Sequence, residues 1–329
     1  MSININKVLI INAGGGIGDA VQFVKIFKLI NLEFNNPQIY YYSCDSENFW
    51  FETSLQSLKP KNLFTIKHFP KHFGFRKNHI FMKFDKKIDY YDIIIDNQSK
   101  LRNTLIYKRI PHKYFFSFTC RGIFSKPITF NKKIKHMQLR VVKFLERFLK
   151  KKISLEEMNI PIEEKFETEA NKLIDKTKKY IGFSLKAGHP TRIKEFNADE
   201  IIKTAIYFYD KDYIPAFFIE EKHAGLIKQI KKRISNAFFP EHLANINLKN
   251  PSLLIALGKK MNFNISIDNG AMHLLALSGK KLFCFFNENS EKFKPLSNDA
   301  HIYDCKLKNK KINELNSEQI IQFINENLA

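Results

Sequence analysis

Acidic residues, cysteine and long apolar runs are all scarce along this chain of 329 residues, and each shortage removes a class of protein. The four cysteines, Cys44, Cys120, Cys284 and Cys305, stand far apart and form no C-x-x-C pair. That excludes a disulfide framework or a cysteine zinc site and fits reduced thiols. No apolar run approaches the ~20 residues that cross a bilayer as a helix. The run Val8–Ile11 after Lys7 is too short for the core of a signal peptide. The expectation is a cytoplasmic protein. Asp and Glu number 33 against 54 Lys and Arg, a net charge of +21. Such a charge draws polyanions: nucleic acid, an anionic membrane face or an acidic substrate. The joint abundance of Lys, Ile, Asn and Phe, as AT-rich coding would produce, accounts for part of it. Local bunching argues for a partner as well, in Lys67-His68-Phe69-Pro70-Lys71-His72 with Arg76-Lys77 and in Lys132-Lys133-Ile134-Lys135-His136.

What the chain does have is length for two domains and a repeated strand–turn–helix pattern. Asn264–Ile267 reads as a buried strand, Asp268-Asn269-Gly270 as a polar turn, and Ala271–Ser278 as a helix of small residues stopped by Gly279. A second buried strand follows at Leu282–Phe286. In doubly wound sheets ligands sit beyond the carboxyl ends of the strands, where a helix N-terminus offers N–H groups to an anion. The turn is therefore either a phosphate or diphosphate seat or an Asx turn capping a core helix. Near the N-terminus, Lys7–Asn12, the turn Ala13-Gly14-Gly15-Gly16-Ile17-Gly18-Asp19 and Ala20–Phe27 read as strand, glycine loop and helix. The frame G-x-G-x-x-G from Gly14 ends on Asp19, the frame from Ala13 gives only A-x-G-x-x-G, and no Gly-Lys-Ser/Thr follows. Asp19 falls in the first turn of the helix, where the dipole favours a carboxylate.

Further strands are expected at Gln38–Ser43, Asn62–Lys67 and Tyr91–Asp96. The last is followed by Asn97-Gln98-Ser99 and a helix carrying Arg102 and Thr104. A helix over Met137–Phe148 precedes a charge-rich stretch, 150–172 with Pro161, that reads as a linker. The domains are thus 1–165 and 166–329. The second contains strands at Tyr180–Leu185 and Ile214–Ile219, the turn Lys186–Lys194, the pair Glu220-Glu221 and a terminal helix, 316–328. The fold class is α/β, with two Rossmann-like doubly wound domains facing a central cleft.

Three of these stretches, in this order and spacing, resemble the signatures of glycosyltransferase family 9, the ADP-heptose:lipopolysaccharide heptosyltransferases. Asn12–Val21 is similar to a strand followed by S-x-G-D-hydrophobic, and Asp92–Thr104 to D-hydrophobic-I-D-x-Q-x-x-x-R-S/T. Asp268-Asn269-Gly270-Ala271-Met272-His273 is similar to D-T-G-x-x-H. The resemblance spans nearly the whole chain. It implies a GT-B architecture with an acceptor-binding N-terminal domain and a nucleotide-sugar-binding C-terminal domain, the last helix packing back on the first. It also implies an inverting, metal-independent transfer of a sugar, heptose foremost, from an ADP-linked donor to a lipopolysaccharide core or related glycolipid. No cofactor beyond that donor substrate is implied.

By the same resemblance, Asp19 is the general base. Lys194, with Arg192 as a rival for the register, binds the donor diphosphate, and Glu221, or Glu220, holds the nucleoside. Asp268, Asn269, Gly270, Met272 and His273 complete the donor site, while Gly16, Gly18, Gln98 and Arg102 belong to the acceptor side. Lys67, His68, Lys71, His72 and Arg76 supply positive charge for an anionic glycolipid and for peripheral contact with the inner membrane face. A monomer with no nucleic-acid partner is expected. Three departures bear on sugar and nucleobase rather than on fold: Asn269 in place of threonine, Ala13-Gly14-Gly15 in place of a serine-rich turn, and Asn287-Glu288-Asn289 in place of glycine-proline after the last strand.

The rival readings are a nicotinamide-dependent oxidoreductase using Ala13-x-Gly15-x-x-Gly18 with Asp45 on the ribose, a heptosyltransferase-like protein without activity, and a nucleic-acid binder, for which no RNA-binding signature is present. The only D-x-D, Asp210-Lys211-Asp212, precedes a strand and so lies on the wrong side of such a sheet for a metal site. Pro70 between His68 and His72 argues against a zinc-binding helix face.

Overall fold

The computed structural model describes residues 4–328 apart from 13–15, 44–48, 52–53, 67, 71–72, 99, 129–133 and 187–193. Runs such as Val8-Leu9-Ile10-Ile11 and Ile93-Ile94-Ile95 have no polar face, which suits parallel strands covered on both sides. Each of these seven residues is at most 1% exposed. Two compact units result, Met1–Leu155 and Glu156–Ala329.

In the first unit, β1 (Lys7–Asn12), β2 (Gln38–Ser43), β3 (Leu63–Thr65), β4 (Tyr91–Asp96) and β5 (His112–Ser117) form a parallel sheet of order β3-β2-β1-β4-β5. In the second, β6 (Lys179–Ser184), β7 (Tyr213–Phe217), β8 (Phe263–Ile267), β9 (Lys281–Phe286) and β10 (Ala300–Asp304) are parallel in the order β10-β9-β8-β6-β7. A parallel bridge from Ala216 to Phe238 extends this sheet past β7. The order reverses between β1 and β4 and between β6 and β8. In each doubly wound sheet such a switch point, at the carboxyl ends of the strands, is where a ligand crevice is expected. Close packing of β6 beside β8 requires Gly182, since a Cβ would collide with Asn264 Oδ1. Gly279, at φ +68°, ends the helix Gly270–Ala276 region as expected.

The unit boundary falls before the expected 165/166. The charge-rich stretch contains the helix Glu164–Leu173, which buries Phe166 and Ala170 and packs on the helix Pro251–Lys260 of its own unit. The terminal helix Ser317–Leu328 likewise buries Ile320 and Ile324 against the helix Ala198–Tyr209, within the second unit. Strands β5 and β10 were not anticipated. Both are edge strands: β10 is only half-buried throughout, and β5 is fully buried only in its second half, Phe115–Ser117.

Candidate active site

In the first unit the buried Asn12 at the end of β1 donates from Nδ2 to the Tyr41 hydroxyl (2.8 Å) and to the carbonyl of Asp19 (3.3 Å). These bonds seat the helix Ile17–Val21 over the end of β1. Gly16 is its N-cap in extended conformation, and a Cβ on Gly16 would lie 3.8 Å from Asp19 Oδ2. The half-buried Asp19 carboxylate thus folds back over the start of its own helix, where the dipole stabilises its charge. Gly18 follows the cap, and its carbonyl accepts from Gln22.

At the end of β4, Asp96 is fully buried and gathers three donors: the Thr104 hydroxyl (2.5 Å), the Ser117 hydroxyl (2.8 Å) and the Gln98 N–H (3.0 Å). With its proton given to Asp96, the Thr104 hydroxyl can only accept from Thr119 at 2.7 Å, so the hydroxyls form an ordered chain. Burial pushes the Asp96 carboxyl above its usual range, opposed by these hydrogen bonds and by the Arg140 guanidinium. Gln98 is buried too, its Oε1 accepting from Asn103 Nδ2 at 2.7 Å, so its side chain holds the following helix, Leu101–Tyr107. Arg102 and Arg76 are exposed. His68 is paired with Asp89 at 2.6 Å. Lys67, Lys71, His72, Asp45 and Arg192 lie outside the described residues.

In the second unit the carboxyl end of β8 carries Asp268, whose Oδ2 pairs with Lys194 Nζ; the two side chains are 10% and 22% exposed. Lys186 and Glu195 form a second ion pair across the same loop. Asn269 caps the helix Gly270–Ala276 by accepting from the Met272 N–H at 2.8 Å, and its amide donates to Ser184 Oγ (3.1 Å) and the Lys186 carbonyl (2.9 Å). A threonine hydroxyl, with one proton, could not make both of those donations. The departure from threonine thus ties the end of β6 to the end of β8. Met272 is fully buried and its N–H is spent on the cap, so its side chain serves the core rather than facing a donor; His273 is also buried.

Glu221 lies past the end of β7, exposed and paired with Lys249 at 3.1 Å, and that ammonium holds its carboxyl below the usual range. Glu221 lines a cavity of about 530 Å³ with His242, Ala224, Ile227 and the lysines 228, 231 and 232. Glu220 is paired with Lys222. Nearby, burial and the charge of Glu220 push the Glu241 carboxyl up to about 7. A carboxyl raised on folding stabilises the folded state below its unfolded value and loses that contribution as pH rises through the folded value. Glu241→Gln is therefore expected to unfold at the same urea concentration as wild type at about pH 4, below the unfolded value, but to be more stable by up to about 3 kcal/mol at about pH 8. Equal midpoints at both pH values would show that Glu241 ionises freely.

Among the described residues no group of three His, Cys, Asp or Glu is placed to hold a metal ion. Asp210 and Asp212 sit in the turn before β7, at the amino end of the sheet. The described cysteines, Cys120, Cys284 and Cys305, are free thiols.

Residues 82–322 match the profile of glycosyltransferase family 9 (heptosyltransferase), well over half of the chain. The chain belongs to that family. It is a glycosyltransferase, and its two doubly wound units are of the GT-B class. Among solved structures it is similar to a family 9 glycosyltransferase of Veillonella parvula, with a TM-score of 0.67 at 16% identity, covering 100% of this chain and 98% of that one. It is similar also to the Escherichia coli heptosyltransferase WaaC solved with ADP (TM-score 0.64, 14% identity, 97% and 99% covered). A third match is the E. coli ADP-heptose LPS heptosyltransferase II (TM-score 0.56, 13% identity, 98% of each). At these identities the likeness is one of fold. No curated protein matches the chain significantly.

Sequence reasoning passed over Asp96, Ser184, Lys186, Glu195 and Glu241. Asp96 had a signal, as the strand-ending aspartate of the D-x-Q stretch; the others become neighbours of the site only through folding.

Proposed function

We propose that this family 9 member transfers a sugar, heptose foremost, from an ADP-linked donor to an anionic glycolipid of the lipopolysaccharide-core class, with inversion and without a metal. The observation that carries this reading is the partly buried Lys194–Asp268 pair beside the capped helix start at the β6/β8 switch point. A leaving nucleoside diphosphate gains negative charge as its bond to the anomeric carbon breaks. An ammonium oriented by a carboxylate, with the N–H groups at the head of the helix, stabilises that charge. In the other unit Asp19 takes the proton of the acceptor hydroxyl as its oxygen attacks the anomeric carbon. One displacement inverts the centre, so one base suffices. Arg102 and Arg76 are the exposed cations offered to an acidic acceptor, with Glu221 on the donor ribose. The protein acts as a monomer at the cytoplasmic side. ADP is favoured because the similar WaaC structure was solved with that nucleotide.

Thermal shift with ADP, UDP, GDP, CMP and NAD tests the reading. A ligand at about 100 times its dissociation constant stabilises the folded state by about 2.7 kcal/mol, an easily measured rise in melting temperature. ADP alone is expected to give it, and Asp268→Ala to abolish it. A response to NAD, or to none of the five, would overturn the assignment.

A further inference from the structure

The large positive charge is divided unevenly. Met1–Leu155 holds 28 Lys and Arg against 10 Asp and Glu, a balance of +18, whereas Glu156–Ala329 holds 26 against 23, a balance of +3. A coding bias acting on the whole chain gives no such division. After Asp96 the next acidic residue is Glu146.

The same unit exposes aromatic rings in an unusual place. Between β3 and β4, where a crossover helix is the common solution, the chain makes an excursion whose ends are joined by the His68–Asp89 pair. Its inner side is anchored: Phe73 is 1% exposed and packs edge-on against Tyr42 and Tyr107, and Met82 and Phe84 pack on the same cluster. Arg109 holds it by donating to the carbonyls of Ile80 and Met82. The outer side shows Phe75 and Phe81, 69% and 73% exposed, among the exposed lysines 77, 83, 86 and 87. Among the described residues no carboxylate pairs with these four lysines. Asp85, the one acidic residue among them, has its carboxylate occupied by the Lys87 and Ile88 N–H groups. Rings that project from a rigid base and are surrounded by unpaired cations match the two requirements of an interfacial anchor, apolar groups for the headgroup boundary and positive charge for anionic lipid.

We infer that the segment 73–89 docks the first unit on an anionic membrane surface, with Phe75 and Phe81 entering the headgroup layer and the lysines lying against lipid phosphates. It rests on the proposed function only in that a lipid-linked acceptor would be met at such a surface.

The test is co-sedimentation of the full chain with vesicles of phosphatidylcholine alone and of phosphatidylcholine mixed with phosphatidylglycerol. Wild type is expected to bind the anionic vesicles and to be released by salt. Lys77→Glu with Lys83→Glu is expected to weaken partitioning by roughly fivefold per lysine or more, and Phe75→Ser with Phe81→Ser by about tenfold or more. Melting temperature and the ADP shift should stay at wild-type values in both double variants. Binding unaffected by either pair, equal binding to neutral vesicles, or a preference for single-stranded RNA over vesicles at the same salt overturns the inference. Vesicle binding without any ADP shift in wild type overturns the proposed donor instead and leaves the docking surface standing.

Discussion

Asp19→Asn is expected to lower turnover by about 10²–10⁴-fold while leaving the protein folded and able to bind ADP. The amide has nearly the shape of the carboxylate but cannot take a proton from an attacking hydroxyl at neutral pH. Structure around it should survive: the helix Ile17–Val21 is seated by Asn12 through the backbone carbonyl of Asp19, which the substitution leaves in place. Loss of a first-turn negative charge costs about 0.3–1 kcal/mol, a minor fraction of the stability of a domain. The measurement is kcat with an ADP-sugar donor, beside the ADP thermal shift on the same preparation. Asp19→Glu, which keeps a base on a longer arm, should recover part of the rate. Wild-type kcat in the asparagine variant would remove Asp19 from the chemistry.

Asp96→Ala is expected to destabilise the first unit by about 3–5 kcal/mol, because it strands the Thr104 and Ser117 hydroxyls and the Gln98 N–H in a fully buried place and removes the Coulombic attraction between this carboxylate and Arg140. For a unit of this size that is a fall in melting temperature on the order of 10 °C. The loss should extend to function, since the turn carrying Gln98 and the start of the helix carrying Arg102 hang from this carboxylate. The acceptor KM should rise in Asp96→Asn, which keeps the shape and part of the bonding. The sign with pH also follows. Burial raises this carboxyl, so its contribution to stability is present at acid pH and declines as pH rises through the folded value, and the asparagine variant lacks that decline. Urea unfolding decides the matter; a change below about 1 kcal/mol in Asp96→Ala would show that water replaces the lost acceptor.

The sequence by itself determined the features whose causes are local in the chain. β1, β4, β6 and β9 were legible because a strand covered on both faces needs an unbroken apolar run, and each of them has one; β8, whose apolar residues are interrupted by Asn264 and Ser266, was legible as a short β-rich stretch running into the turn Asp268-Asn269-Gly270. The cap at Asn269, the stop at Gly279 and the carboxylate in the first turn at Asp19 follow from turn and helix-end chemistry within a few residues. From these pieces, in their order, the family and the class of fold could be read.

Only the tertiary structure decided what depends on neighbours distant in sequence. The helix Glu164–Leu173 was hidden in a charge run because its buried face is narrow, and it took the helix Pro251–Lys260 to cover that face. Lys194 meets Asp268 across 74 positions, and Asn269 reaches back 85 to Ser184, so no spacing rule announces either contact. Asp96 became the anchor of its turn because β5, an edge strand distant in sequence, delivers Ser117 beside it. Glu241 is shifted by burial and by the charge of Glu220 on another element, and Met272 left the donor-facing set because its helix turns it inward. The concentration of the +21 on the first unit can be counted along the sequence, but only folding says which of those cations share a surface with Phe75 and Phe81.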